Sequence, residues 1–166
     1  MARKPRFSIV GAGNGGLTMA GDLVFHGFEV CGIYDRYPEA VAPIRQRGGI
    51  EFLGETMSGF APIQNATTDI AAAVRGSDVV AVVVPAYAHE WVAQQLAPHL
   101  EEGQIILLTP GYPFGTLLFR KTLREHGLRV RVDLAETNLI LYATRIVGPA
   151  QVGVQAKKKA LWVAAL

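Results

Sequence analysis

The sequence predicts a doubly wound α/β fold: a mostly parallel sheet with helices on both faces. Three observations carry that prediction. Short apolar runs rich in β-branched residues alternate with helix-compatible stretches along most of the chain. The first run, Phe7-Ser8-Ile9-Val10, breaks into Gly11-Ala12-Gly13-Asn14-Gly15-Gly16, a G-x-G-x-x-G motif that opens a helical segment. An acid, Asp35, closes the second apolar run about 20 residues further on.

In chain order, residues 6–10 read as the first strand and 15–26 as the first helix, stopped by Gly27. Residues 29–34 form the second strand. Pro38 opens a helix to residue 47, ended by Gly48-Gly49. Residues 50–53 and 58–63 read as a hairpin around Gly54-Glu55. Thr68-Asp69 caps an alanine-rich helix over 70–75. The run 78–84 is nearly continuous β-branched sequence, as a strand buried on both faces requires, and Pro85 ends it. A helix over 88–100, a strand over 104–108, a helix over 117–126 and a strand over 128–134 follow. The pattern then changes to two strands, 139–147 and 151–156, separated by Gly148-Pro149.

The glycine motif has a physical reading. Gly11 allows the tight turn out of the strand. Gly13, with no Cβ, lets a diphosphate approach the backbone. Gly16 lets the helix pack on the sheet. Asn14 and Gly15 stand at the first helical turn, whose unpaired N–H groups suit an anion. Asp35 is placed to accept hydrogen bonds from the two ribose hydroxyls of an adenosine. Strand, motif, helix and acid together form the fingerprint of a dinucleotide-binding βαβ unit of the Rossmann type, which implies NAD or NADP. Asp35 favours the free 2′-hydroxyl of NAD. Its neighbour Arg36 is suited to a 2′-phosphate or to stacking on adenine, so the pair pulls both ways, with NAD preferred and NADP retained as an alternative.

With 166 residues, half of them hydrophobic, the chain is long enough for one domain with a substantial core. Mean hydropathy is +0.24, but no apolar run reaches the length of a membrane span. The basic start, Met1 to Arg6, leads straight into a strand and lacks the apolar stretch of a signal peptide. A lone cysteine, Cys31, excludes an internal disulfide, fits a reducing, cytoplasmic setting, and reads as a small core residue. The net charge of +2 implies no nucleic-acid partner. The one charge run, Lys157-Lys158-Lys159, reads as a solvated turn or strand end. No Cys/His cluster has metal-ligand spacing, and no serine sits in a nucleophile elbow. The final residues, 160–166, are apolar. The expectation is that the native protein continues beyond them or that a partner, such as a second copy forming a homodimer, covers them.

Ligands in such folds bind outside the carboxyl ends of the strands. Val84-Pro85-Ala86 with His89, Pro110-Gly111, and Glu136 with Thr137 and Asn138 are therefore expected to line one crevice with the glycine motif. His89 either contacts a ligand or hydrogen-bonds nearby backbone at its helix start. Glu136 either contacts ribose or substrate, or is a buried acid that fixes its neighbouring loops.

The glycine motif with its Asn-Gly-Gly core, the Val83-Val84-Pro85-Ala86 loop with His89, Pro110-Gly111, Glu136-Thr137, and the run Val154 to Lys159 resemble the amino-terminal domain of the octopine (opine) dehydrogenase family. The Val-Val-Pro loop is shared with glycerol-3-phosphate, 6-phosphogluconate and ketopantoate dehydrogenase relatives. The opine resemblance spans essentially the whole chain. It implies a cofactor domain of an enzyme that condenses an amino acid with a 2-oxo acid and reduces the imine with NADH or NADPH. It also implies that the catalytic His–Asp pair and most of the substrate pocket belong to a helical carboxyl-terminal domain. On that reading residues 1–166 are the dinucleotide-binding domain and hold no catalytic acid or base. A related hydroxy-acid dehydrogenase and a stand-alone NAD-responsive module remain as alternatives.

Overall fold

A computed structural model describes residues 3–166; Met1 and Ala2 of the basic start lie outside the described residues. β1 (Phe7–Val10) is an interior strand of the larger sheet. Its alternate residues feed two cores. Ile9 packs into one with Ile33, Val41 and Ile44, and Val10 into the other with Val80, Val92 and Phe119. Around it lie β2 (Val30–Tyr34), β5 (Ala66–Thr67), β6 (Val79–Val82), β7 (Ile105–Leu108), β8 (Asp133–Thr137) and β11 (Val163–Ala165). The order is β11-β8-β7-β6-β1-β2-β5, parallel throughout except for β11 against β8. The first core gathers α1 (Asn14–Phe25) and α2 (Pro38–Arg47). The second gathers α3 (Ile70–Val74), α4 (His89–Leu96) and α5 (Gly115–Glu125). This is the doubly wound sheet the sequence predicts.

A second sheet, in the order β4-β3-β10-β9, lies against the far side of α1. It joins the expected hairpin β3 (Gly49–Phe52) and β4 (Gly59–Pro62) to a second hairpin, β9 (Tyr142–Gly148) and β10 (Gln151–Lys157), through parallel pairing of β3 with β10. α1 is thus packed between two sheets. A Cβ on Gly21 would overlap the Phe52 ring, so the helix lies directly on β3.

β9 is the edge strand of this second sheet, and α1 covers its edge with a row of polar side chains. Asn14, Thr18 and Asp22 are four residues apart and share one helix face. Asn14 Oδ1 accepts the Ile146 N–H at 2.7 Å, the Thr18 and Thr144 hydroxyls lie 2.8 Å apart, and Tyr142 donates its hydroxyl to Asp22 at 2.7 Å. Four helical residues advance about 6 Å and two strand residues about 6.8 Å, so the row keeps step over its length. Lys157, on β10, also reaches the Asp22 carboxylate at 2.7 Å. Burial and the neighbouring Asp22 charge push the Tyr142 hydroxyl well above its ordinary pKa, so it stays a donor.

Several expectations need correction. The strand expected over 128–134 runs instead from Asp133 to Thr137, because its pairing with β7 begins only where Asp133 meets Ile105. The helix expected over 88–100 ends at Leu96 and is preceded by a separate tight turn, Ala86–Ala88. α5 starts two residues early, at Gly115. β5 has too few residues to give a period. Lys157 to Lys159 are exposed at the end of β10, as expected, but the Lys157 ammonium is not free: it ion-pairs with the buried Asp22. Cys31 is only half-buried. Part of the apolar tail forms β11, which covers the edge of β8 while leaving Trp162 82 % exposed. Among the described residues, no helix is long and apolar enough to cross a membrane.

The start of the chain is fastened by Asp78, just ahead of β6. Arg3 donates two hydrogen bonds to its carboxylate at 2.8 Å, and the Arg6 N–H a third at 2.7 Å. The arginine and the N–H bond hold the Asp78 pKa down at about 2. Asp78→Asn should cost about 1 kcal/mol at neutral pH, the scale of partly solvated charge-assisted bonds. A depressed carboxyl pKa stabilises the fold above its unfolded value, about 4, and loses that contribution as the pH falls through about 2. Denaturant melts of both proteins across that window should therefore converge at the acid end; a gap that persists there would separate the stability from the Asp78 charge.

Candidate functional site

The chain leaves β1 toward β2 on one side, while β6 flanks β1 on the other. The strand order reverses between β1 and β6, which opens a crevice above their carboxyl ends. Gly11, at φ +112°, turns the chain out of β1 there, and a Cβ on it would meet the Val83 carbonyl oxygen at 2.5 Å. Two residues on, the backbone becomes open. Nothing lies within 4 Å of a Cβ built on Gly13, whose φ of −79° any residue could adopt. A Cβ on Gly16, by contrast, would overlap the Gly11 carbonyl oxygen. The glycines thus divide into two that hold α1 against the end of β1 and one that faces free space.

The first turn of α1 carries no side-chain cap and no acidic residue. The cap position is Gly13, which has no side chain to offer, and Asn14, one residue on, spends its Oδ1 on the Ile146 N–H. The N–H groups of this turn keep their positive potential for a ligand.

Asp35, just past β2, accepts the Ala12 N–H at 2.8 Å through one carboxylate oxygen and the Tyr37 N–H at 3.0 Å through the other. Arg36 hydrogen-bonds the Tyr37 hydroxyl, and its guanidinium stacks 4.5 Å from the Tyr37 ring and 5.4 Å from the Trp91 ring. These residues, with Pro85 and Tyr87, wall a cleft of about 300 Å³. A second cleft, of about 450 Å³, lies on the other side of Val84 and Pro85, which line both. Gly13, Asn14, Gly15, Pro110, Tyr142 and Arg145 face this second cleft. The two clefts thus meet at Val84 and Pro85, with Gly11 lining the first and Gly13 the second.

The other expected residues are placed differently. Ala86 is exposed but lines neither cleft. Glu136 accepts the Thr116 N–H at 2.9 Å and so holds the start of α5; a Cβ on Gly111 would overlap its side chain. Glu136 also faces a third cleft, of about 320 Å³, with Tyr112, Asn138 and Trp162. His89 is 2 % exposed, edge-on to Phe119, and lines none of these clefts. Burial drives its pKa below the ordinary histidine value, so it is held neutral, and its Nε2 has no hydrogen-bond partner among the described residues. Sequence reasoning missed Tyr37, Trp91 and Arg145. Trp91 has no motif signal, and Arg145 reaches the crevice only because the second sheet folds back on α1.

Residues 6–130 match the family model described as the NAD binding domain of 6-phosphogluconate dehydrogenase. The chain is 37 % identical to an opine dehydrogenase of Arthrobacter sp. (strain 1C) over 166 residues, all of this chain and 46 % of that protein. It is 35 % identical to a glycerol-3-phosphate dehydrogenase, NAD(P)+, of Enterococcus faecalis (strain ATCC 700802 / V583), over 63 % of this chain and 30 % of that one. The chain therefore spans less than half the length of these curated relatives. In fold it is similar to octopine dehydrogenase solved with NADH and L-arginine, with a TM-score of 0.82 at 21 % identity over 98 % of this chain and 42 % of that one. The corresponding values for yersinopine dehydrogenase with NADP+ bound are 0.80, 18 %, 98 % and 41 %.

The different surroundings of the glycines give a two-sided test. Gly13→Val should change stability by less than about 1 kcal/mol yet abolish dinucleotide binding in a calorimetric titration. Gly16→Val should cost about 3 kcal/mol or more in denaturant melts. Unchanged affinity in Gly13→Val would mean that no ligand passes over this turn.

Proposed function

The chain belongs to the family of NAD-binding domains of 6-phosphogluconate dehydrogenase, and from that premise we propose that it is the cofactor half of an opine-forming oxidoreductase. The observation that carries the reading is the match to opine dehydrogenase along all 166 residues, β9 and β10 included; the glycerol-3-phosphate dehydrogenase matches cover 63–64 % of the chain.

The residues present fit a dinucleotide. The bare Gly13 surface and the uncapped tip of α1 suit its diphosphate. Asp35 spends one lone pair of each carboxylate oxygen on backbone and keeps others for ribose hydroxyls. The first cleft, with its Tyr37, Tyr87 and Trp91 rings, suits adenine. The second, walled by Val84, Pro85 and Ile140, suits the nicotinamide and shields one of its faces from water. When bound, the nicotinamide supplies a hydride to the imine formed between an amino acid and a 2-oxo acid. This chain's contribution is to bind and orient. Its buried neutral His89 and tied Tyr142 are not placed as proton donors to the cleft. The acid–base pair and the substrate pocket are assigned to a further helical domain, such as the remaining length of the relatives accommodates. The exposed Trp162, just before β11, and Val163 on it support a second copy of the chain packing there as a homodimer.

Calorimetric titration with NADH and NADPH tests the cofactor assignment. Saturable binding, tighter for NADH, is expected, and Asp35→Ala should weaken NADH more than NADPH. Equal losses for both would mean that Asp35 does not meet the ribose. For the dimer, Trp162→Glu should shift a sedimentation profile from dimer to monomer; a wild-type chain that sediments as a monomer at high concentration would end that assignment.

A further inference from the structure

We propose that Arg145 binds the diphosphate bridge of the dinucleotide, as a cation that the second sheet brings to the site. The inference rests on the cofactor reading above and adds to it a residue outside the glycine fingerprint.

The geometry comes from the edge of β9 that no strand pairs and that meets the start of α1. The Arg145 carbonyl faces β10, within 3.9 Å of a Cβ built on Gly153, so the neighbouring Thr144 carbonyl and Ile146 N–H point outward from that edge. The Ile146 N–H binds Asn14, at the start of α1, at 2.7 Å. Arg145 folds its side chain back over the same edge and donates from Nη1 to the Thr144 carbonyl at 3.1 Å. Its guanidinium therefore lies on the flank of β9 that faces the tip of α1, and it lines the second cleft with Gly13, Asn14 and Gly15.

Charge makes this placement informative. Arg145 is the one charged side chain lining that cleft among the described residues. No carboxylate lines that cleft or pairs with Arg145 among them. One of its five donors is spent on its own backbone and the rest are free. Opposite stands the tip of α1, with uncapped N–H groups and the positive end of the helix dipole. Two sources of positive potential converge on one cleft with no anion from the protein between them. The ligand group that relieves this is doubly anionic and narrow enough to pass over Gly13, as a diphosphate is. A guanidinium also offers the paired donors that phosphate oxygens accept best. Asn14 connects the two parts: it stands at the helix tip and, through the Ile146 N–H, holds the strand that carries the arginine.

The test titrates the 166-residue chain and its Arg145→Gln and Arg145→Lys variants with NADH, with ADP-ribose, which has the diphosphate but no nicotinamide, and with adenosine, which has neither. Arg145→Gln should weaken NADH and ADP-ribose about tenfold each and leave adenosine unchanged, with Arg145→Lys between. Added salt should weaken ADP-ribose binding more steeply in the wild type than in Arg145→Gln. The side chain is exposed, so the variants should keep the wild-type circular dichroism and melting temperature. If Arg145→Gln binds ADP-ribose as the wild type does, or loses affinity for NADH alone, the diphosphate assignment is overturned while the cofactor reading stands. A wild-type chain that binds none of the three overturns both.

Discussion

The approach of Gly16 to Gly11 is the contact on which the rest of the site depends. With no Cβ at residue 16, the first turn of α1 lies against the carbonyl that ends β1. Any side chain there would have to push the helix off the strand end. The Asn14, Gly15 and Gly16 N–H groups would then point elsewhere, and the hydrogen bond from the Ala12 N–H to Asp35 would stretch. Ile9, Leu17 and Ala20, fully or nearly fully buried beside it, fix the helix from below. Close packing of this kind adjusts little, so a gain of one methyl group propagates to the ligand-facing backbone.

The same helix also secures the second sheet, and here polarity rather than apolar packing sets the register. Asn14, Thr18 and Asp22 meet Ile146, Thr144 and Tyr142 in turn. A slip of one residue along β9 would turn all of these strand groups away from their partners. Asp22 is the costly member. A nearly buried carboxylate is tolerated because Tyr142 and Lys157 both donate to it. Such a row stabilises modestly but specifies strongly, since each buried group left unpaired costs more than the pair contributes. One helix thereby carries the glycine turn at its tip and fixes both cleft walls along its length.

The sequence made the larger sheet legible and left the smaller one half-read, for a physical reason. Strands such as 79–82 are apolar on both faces, so their burial is written in every residue. The glycine turn is equally plain, because Gly11 and Gly16 answer to contacts within the same βαβ unit. β9 and β10 were visible as strands, but their pairing with β3 spans about 100 residues of chain and has no local trace. Lys157 read as solvated because its partner, Asp22, lies on a helix at the other end of the sequence. Trp91 and Arg145 were missed likewise: each reaches the crevice through a tertiary contact with no fixed spacing from the motif. His89 shows the converse. Its position at the start of a helix on the ligand side is legible, whereas its burial against Phe119 depends on how α5 packs.

The opposition between Asp35 and Arg36 is eased by what each is doing. Asp35 is held rigidly by two backbone N–H groups, one from the glycine turn itself, so its carboxylate cannot rotate away from a ribose without loosening that turn. A 2′-phosphate placed there would meet a fixed negative charge. Arg36 is exposed and already engaged with the Tyr37 hydroxyl and with two aromatic faces. To neutralise such a phosphate it would have to leave those contacts, whereas an adenine entering the cleft could stack beneath it with little rearrangement. In the proposed cofactor site, a rigid acid set against a cation that must first be released would favour the dinucleotide with the free hydroxyl. The stacked arginine would then contribute to holding the base more than to choosing the cofactor.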